Sequence, residues 1–370
     1  MGAMKASLAS SLSATLLTIT ALTLAAPVAS LQAQTEPVDE LRKHAEAGLA
    51  EAQNTLGLVY KSGTGVTQDF AQAAKWFQKA AEQGYASAQK NLGLMYAEGK
   101  GVQTDLSEAT KWLRKAAEQN FASAQNALAM LYQEGKIKAQ ESGEAIKWLR
   151  KAAEGNYAEA QDNLACAYLE GKGVSQDVNE AVTWLHKAAD RDYASAQDHL
   201  GNLFLEGKGV PQDDAKAAAL FKLAAAQNYA ASQSTLAWMH TEGKGVPKDD
   251  AEAVRLFRRA AEQNYASAQN QLGMMYEQGR GVPKDLVQAA EWYRKAAIRG
   301  YGGAQNNLAI AYALGQGVPK DLVEAAMWFA LGSTHGDDKR ADLREAIAKE
   351  LTPTQAAEVE KRVKAFVPAK

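Results

Sequence analysis

The chain repeats itself every 36 residues. The stretch 88–119, AQKNLGLMYAEGKGVQTDLSEATKWLRKAAEQ, nearly reads again when shifted by that interval. Its opening Ala-Gln pair recurs at Ala52-Gln53, Ala124-Gln125, Ala160-Gln161, Ala196-Gln197, Ala268-Gln269 and Ala304-Gln305, and Ser232-Gln233 keeps the same register. Eight copies follow one another without an inserted or deleted residue. A fixed period of roughly 20–50 residues is the signature of a solenoid, in which each unit packs only on its neighbours. The 370 residues therefore read as one array rather than as two or three globular domains.

Each copy carries two helical patterns. In the first, Ala52, Leu56 and Tyr60 fall on one face at spacings of four, with Gly57 beside them. The Gly57 column holds only Gly or Ala: Gly93, Ala129, Ala165, Gly201, Ala237, Gly273 and Ala309. Glycine inside a helix costs roughly 0.5–1 kcal/mol relative to alanine, so its repeated use predicts the close passage of another helix backbone. A Gly-x-Gly-Val connection follows, from Gly63-Thr64-Gly65-Val66 to Gly315-Gln316-Gly317-Val318. Its first glycine ends the helix in a left-handed conformation, and its valine plugs the gap between units. The third copy departs from this, with Lys136-Ile137-Lys138 replacing the second glycine and the valine.

The second pattern opens on an Asp followed three residues later by Glu or Gln: Asp69, Asp105, Asp177, Asp249, Asp285 and Asp321. That spacing predicts a capping box, in which the Asp accepts from the third helical N–H and the Glu or Gln reaches back. These aspartates are structural caps rather than catalytic acids. An apolar stripe follows, with Trp at Trp76, Trp112, Trp148, Trp184, Trp292 and Trp328, and Leu220 and Leu256 in the two remaining copies. A position filled by Trp or Leu wants apolar volume. The helix is expected to end at Gly84, Asn120, Asn156, Asp192, Asn228, Asn264 or Gly300, residue types that tolerate positive φ.

The two ends differ from the array. Residues 1–33 have one charge, Lys5, then a short apolar run diluted by threonine, Pro27, and small residues at Ala29, Ser30 and Ala33. That is the layout of a cleavable secretory leader, with a run shorter than a spanning helix requires. Residues 34–48 read as an N-terminal capping helix, 49–336 as the eight repeats, and 337–370 as two charged capping helices separated by Pro353. The mature chain is expected to be periplasmic or secreted, without stable membrane insertion.

Composition removes several function classes. Forty-one Lys and Arg against forty-three Asp and Glu give a net charge of -2, which offers no global field for nucleic acid. A lone Cys166 excludes an internal disulfide framework, and the five histidines show no metal-ligand spacing. Ser87-Ala88-Gln89-Lys90 formally matches S-x-x-K, but no S-D-N or K-T-G follows and neighbouring copies carry Asn in place of the lysine. No cofactor motif occurs, and no catalytic residue is assigned.

The pattern A-x-x-x-LG-x-x-Y-x-x-G-x-G-V-x-x-D-x-x-x-A-x-x-W-[FL]-x-x-A-A resembles the Sel1-like repeat, a relative of the tetratricopeptide repeat. The resemblance implies an all-α, right-handed superhelical solenoid of eight helix-turn-helix repeats whose first helices line a concave groove. It also implies a non-enzymatic adaptor that binds protein or peptide partners. A secreted factor contacting host cells is the second reading, and a β-lactamase-like or cell-wall hydrolase the third. The third follows a cysteine-rich branch of the family whose paired cysteines are missing here. With the first helix lining the groove, the inward positions include Asn54, Asn126, Asn270 and Asn306, and one turn on Met130, Trp238 and Met274. Amides can pair with a peptide backbone, and Met and Trp can anchor apolar groups. Trp238 is the only Trp outside the framework column.

Overall fold

The computed structural model describes residues 29–137, 143–333 and 341–369. Among these residues the regular elements are helices, paired within the repeats as the period requires. The leader expected at 1–33 lies almost wholly outside the described residues, as do the divergent third connection at 138–142 and the segment 334–340. The first described helix, Ala29–Glu46, is longer than the cap read from the sequence. No described helix is long and apolar enough to cross a membrane.

The chain divides into two compact units, Met1–Gln176 and Asp177–Lys370. In the first unit the cap helix is followed by three repeats: Ala50–Ser62 with Phe70–Glu82, Ala86–Glu98 with Leu106–Glu118, and Ala122–Gln133 with Glu144–Glu154. The helix Ala158–Glu170, which opens repeat 4, completes it. The second unit starts with Val178–Ala189. Repeats 5 to 8 follow, as Ala194–Glu206 with Asp214–Ala226, Ala230–Glu242 with Asp250–Glu262, Ala266–Gln278 with Leu286–Ala297, and Gly302–Leu314 with Leu322–Ser333. Two short helices, Ala341–Glu350 and Pro353–Ala365, close it. Within each unit a first helix packs on its own second helix, and a second helix on the first helix of the next repeat.

The interior of a repeat is an interlock. Leu56, Leu92, Leu128 and Leu308 are fully buried from first helices, and Phe77, Leu113, Leu149, Phe221, Phe257, Tyr293 and Phe329 from second helices. Each such side chain is worth about 1.5–3 kcal/mol on burial. The Gly/Ala column is where the interlock closes. A Cβ on Gly57 would lie 2.6 Å from the Phe77 ring, one on Gly201 2.9 Å from Phe221, and one on Gly273 2.6 Å from Tyr293. The close passage predicted there is therefore mainly that of a large side chain rather than of a second backbone, although the Ala109 carbonyl does come within 3.1 Å at Gly93.

The connections follow the same logic. The first glycine ends each helix at φ near 70° (Gly63, Gly99, Gly171, Gly207, Gly243, Gly279 and Gly315). The second is held for a reason the spacing did not reveal. A Cβ on Gly101 would fall 2.1 Å from the Phe70 carbonyl oxygen, and one on Gly245 2.1 Å from that of Asp214. The loop thus lies on the second helix of the preceding repeat. Second helices end as expected, with Asn120, Asn156, Asp192, Asn228 and Asn264 all at positive φ.

The aspartates cap their helices, but not within a capping box. Asp105 accepts from the N–H groups of Ser107 (2.9 Å) and Glu108 (3.0 Å), and Asp321 from those of Val323 and Glu324. The Glu at the third position turns away from the cap instead of reaching back. The Asp105 N–H donates to the Tyr96 carbonyl, and that of Asp285 to Tyr276. The full reciprocal box occurs at Thr352 with Gln355, where Pro353 starts the last helix instead of separating two.

Candidate partner-binding face

Each repeat presents two surfaces: one formed by first helices, the other by second helices. The first is the candidate for partner binding. First helices of adjacent repeats touch in the first unit, Ala86–Glu98 against Ala122–Gln133 and the latter against Ala158–Glu170. Between them runs the asparagine column. The Asn91 amide donates to Asn54 Oδ1 at 3.0 Å and Asn163 to Asn126 Oδ1 at 3.0 Å; in the second unit Asn307 donates to Asn270 Oδ1 at 2.9 Å. Asn54, Asn126, Asn270 and Asn306 are all buried. This corrects the expectation that they face an open groove: the amides of Asn54, Asn126 and Asn270 lie in the seam between repeats, and Asn306 is covered by Gly332 of its own repeat. Ser232 uses the same seam, donating to Asp198 Oδ1 at 2.5 Å.

One turn further on the side chains emerge. Met130, Trp238 and Met274 are half-buried, as are Leu94 and Ile310 of the same column, while Leu58 is exposed. The Lys244 ammonium lies 5.7 Å from the Trp238 ring centroid, so this ring is already flanked by a cation.

Two further sets of groups belong to this surface. The aromatic that starts the first helix of repeats 2 to 8 (Tyr85, Phe121, Tyr157, Tyr193, Tyr229, Tyr265, Tyr301) serves as its N-cap residue with extended backbone. Tyr157 donates to Glu159 Oε2 at 2.7 Å, and Glu159 Oε1 accepts from the Asn126 amide at 3.2 Å. Burial, reinforced by Asp198, Tyr229 and Tyr301, raises the Tyr265 phenol above its ordinary pKa, so these groups lie within electrostatic reach of one another. The recurrence of the aromatic was legible; its place beside the asparagine seam was not. Lys90 occupies the Asn54 column in repeat 2. Burial chiefly holds its ammonium below the usual lysine range, with Lys61 adding repulsion and Glu159 acting the other way.

The Ala-Gln pair that marks each repeat also acquires a role. Gln89 Nε2 donates to the Ala81 carbonyl at 3.1 Å, Gln53 to Ala45 at 3.0 Å and Gln305 to Ala297 at 3.1 Å. Each clamps the C-terminal end of the preceding helix. Gln119 Nε2 adds a bond of 2.7 Å to Gln89 Oε1, and Gln83 one of 2.7 Å to Gln53. Each of these carbonyls also accepts a backbone N–H (Ala81 from Gly84, Ala45 from Gly48, Ala297 from Gly300), so losing the glutamine removes one of two bonds, at about 0.5–1.5 kcal/mol.

The second-helix surface is closed by the tryptophans. Trp76, Trp112, Trp148, Trp184 and Trp328 are buried and Trp292 is half-buried. Trp112 packs with Ala73, Ala74 and Phe77 of the preceding second helix, and its Nε1 donates to Glu108 Oε2 at 2.9 Å. A lysine three residues on covers five of these six rings, Lys79 at 4.1 Å, Lys115 at 4.6 Å, Lys151 at 4.8 Å, Lys187 at 3.8 Å and Lys295 at 3.7 Å from the centroid, while Trp328 has Leu331 in that place.

Stacked helical hairpins with a polar seam, half-buried anchors on the first helices of each unit and a frame spent on packing define a repeat scaffold. The chain belongs to the Sel1 repeat family, which matches it at 50–85, 86–121, 122–157, 158–193, 194–229, 230–265, 266–301 and 303–337. Such repeats generally form protein–protein interaction scaffolds, and the fold is typically non-catalytic. Among solved structures the chain is similar to a Sel1 repeat protein from Oxalobacter formigenes (28% identity, 66% of this chain and 96% of that one, TM-score 0.57). It is also similar to a protective antigen of uropathogenic Escherichia coli (32% identity, 89% of this chain and 79% of that one, TM-score 0.48). No curated protein matches the sequence.

Proposed function

We propose that this protein is an exported adaptor that binds an extended segment or loop of a protein partner on its first-helix surface and catalyses no reaction. The observation that carries the reading is the division of labour along the first helices. The asparagine column is consumed in the seam, whereas Met130, Trp238 and Met274 remain half-exposed one turn away. Trp and Met side chains on a rigid support are suited to anchor a partner. The buried asparagines hold those anchors in register. The site of action is the periplasm or the exterior, a reading supported by the composition of residues 1–33.

Crosslinking with mass spectrometry in the native cell names the partner. Trp238→Ala and Met274→Ala are then expected to reduce its recovery about tenfold, the loss of roughly 1.4 kcal/mol. Unchanged recovery by folded variants would remove the site from this surface. N-terminal sequencing of the exported protein tests the leader, and turnover of nitrocefin by stringently purified protein would contradict the non-enzymatic reading.

A further inference from the structure

The second-helix surface is interrupted at one place, in repeats 5 and 6. Four substitutions fall in these two repeats. Leu220 and Leu256 stand where the other repeats carry Trp; Ala219 stands where Lys75, Lys111 and Lys147 stand; and Ala226 stands where Glu82, Glu118, Glu154 and Glu262 stand. At the seam that Trp112 fills in repeat 2, Leu256, Ala219 and Ala226 leave out one indole ring, one lysine and one acid. The result is a cleft of about 690 Å³ between Asp214–Ala226 and Asp250–Glu262. Ala218, Ala219 and Leu256 line it, and Lys222, Arg255 and Arg259 stand on its rim.

The rim is cationic after internal pairing. Arg255 is spent on Glu252, with bonds of 2.8 and 2.7 Å. Asp249, the other acid at the cleft, caps its helix through the Glu252 N–H. Arg259 occupies the position that elsewhere lays a lysine over a tryptophan, and here it has no such ring beneath it. It donates instead to the Ala225 carbonyl at 3.3 Å. In repeat 5 the matching residue is Leu223, half exposed at 50%. The surface thus keeps a cation and apolar walls and lacks the aromatic between them.

This kind of surface already accepts an aromatic from outside the repeats. At the C-terminus Phe366 packs edge-on against Trp328, with centroids 5.8 Å apart, while Arg362 pairs with Glu324 at 2.8 Å. An aromatic and a charge one turn apart help to seat that segment, together with Val359 and Val363 and the bond from the Ala369 N–H to the Ile298 carbonyl.

We infer that the cleft of repeats 5 and 6 is a second docking site, which takes a protein segment presenting an aromatic side chain beside a carboxylate. The ring fills the volume left by the missing tryptophan against Leu256 and Ala219, under Arg259, and the carboxylate meets Lys222 and Arg259. This goes beyond the first-helix reading, because it places a partner on the opposite helices of the same repeats.

A random twelve-residue peptide display library panned on the full chain supplies the probe, with selected peptides resynthesised for titration. The selected sequences are expected to share Trp, Tyr or Phe within two residues of Asp or Glu. Their affinity is expected to fall at least tenfold for Leu256→Trp, which restores the internal ring, and for Arg259→Glu, and to be unchanged for Trp238→Ala. Should Leu256→Trp fail to fold by circular dichroism, the rim variant Arg259→Glu carries the test. Peptides lost in Trp238→Ala but retained by both cleft variants would overturn the inference and leave the first-helix reading standing. Selected peptides without an aromatic-acid pair would also overturn it. So would a wild-type dimer by light scattering that Leu256→Trp dissolves, since the occupant would then be a second copy.

Discussion

Repeat 2 and repeat 6 share a frame and differ in what they do with it. In both, an Asp caps the second helix, a left-handed glycine ends the first, and a second glycine lies on the helix before it. In repeat 2 the surface is then shut: Trp112 fills the seam, Glu108 takes its Nε1 hydrogen, and Lys115 covers the ring. In repeat 6 Leu256 fills less, Glu252 turns to Arg255, and Arg259 reaches across to Ala225. Leu256 is still buried, but it is smaller than the indole that stands in its place in repeat 2, and Arg259 has no ring to cover. A repeat protein can make a site by under-filling a column as well as by decorating a variable one.

The largest effect that sharpens this contrast is Trp112→Ala. The buried ring should cost about 3–5 kcal/mol, read as a shift in the urea midpoint at constant slope. Leu256→Trp, which fills rather than empties, should leave stability unchanged or raised; a large loss would mean that the cleft is not the vacancy of a ring. Next come the loop glycines. Gly101→Ala and Gly245→Ala should destabilise alike, because each combines a left-handed penalty of roughly 1–2 kcal/mol with an overlap on a carbonyl 2.1 Å away. Unequal losses would break the claim of a shared frame. Asp105→Ala and Asp249→Ala should each cost about 1 kcal/mol, again alike, in thermal melts.

The smallest effect lies on the other surface. The folded protein holds Lys90 below its ordinary pKa, so burial penalises the charged form. That penalty is full below the folded pKa and disappears above the unfolded one. Lys90→Met should therefore raise the melting temperature at neutral pH by about 1–2 °C, with the gain shrinking in alkaline buffer. A gain that does not change with pH would assign the effect to packing.

The period made the fold legible because every repeat solves the same packing problem with the same residues. Positive φ at Asn120 and Asn264, the caps at Asp69 and Asp249, and the burial of Trp76 and Trp112 were all readable one repeat at a time. What was not readable depends on contacts between repeats. The second glycine is required by a carbonyl some thirty residues earlier, near Phe70 for Gly101. The glutamine of the marker pair is held by the end of the preceding helix, and the asparagines face one another across a seam. A helical wheel places Asn54 and Leu58 on one side of the same helix, and only the neighbouring helix decides that the first is covered and the second is not. Leu256 read as a tolerated replacement for Trp. Its meaning emerged when Ala219, Ala226 and Arg259 proved to surround it.

The central claim is that packing consumes the frame columns and that the half-exposed first-helix columns bind a partner. It is tested most directly by photocrosslinking in the native cell, with p-benzoylphenylalanine placed in turn at Trp238, Met274, Lys75 and Lys147. The account predicts one discrete adduct of the same partner from Trp238 and Met274, and none from the two second-helix lysines. Adducts from Lys75 or Lys147, with none from the first-helix pair, would contradict it.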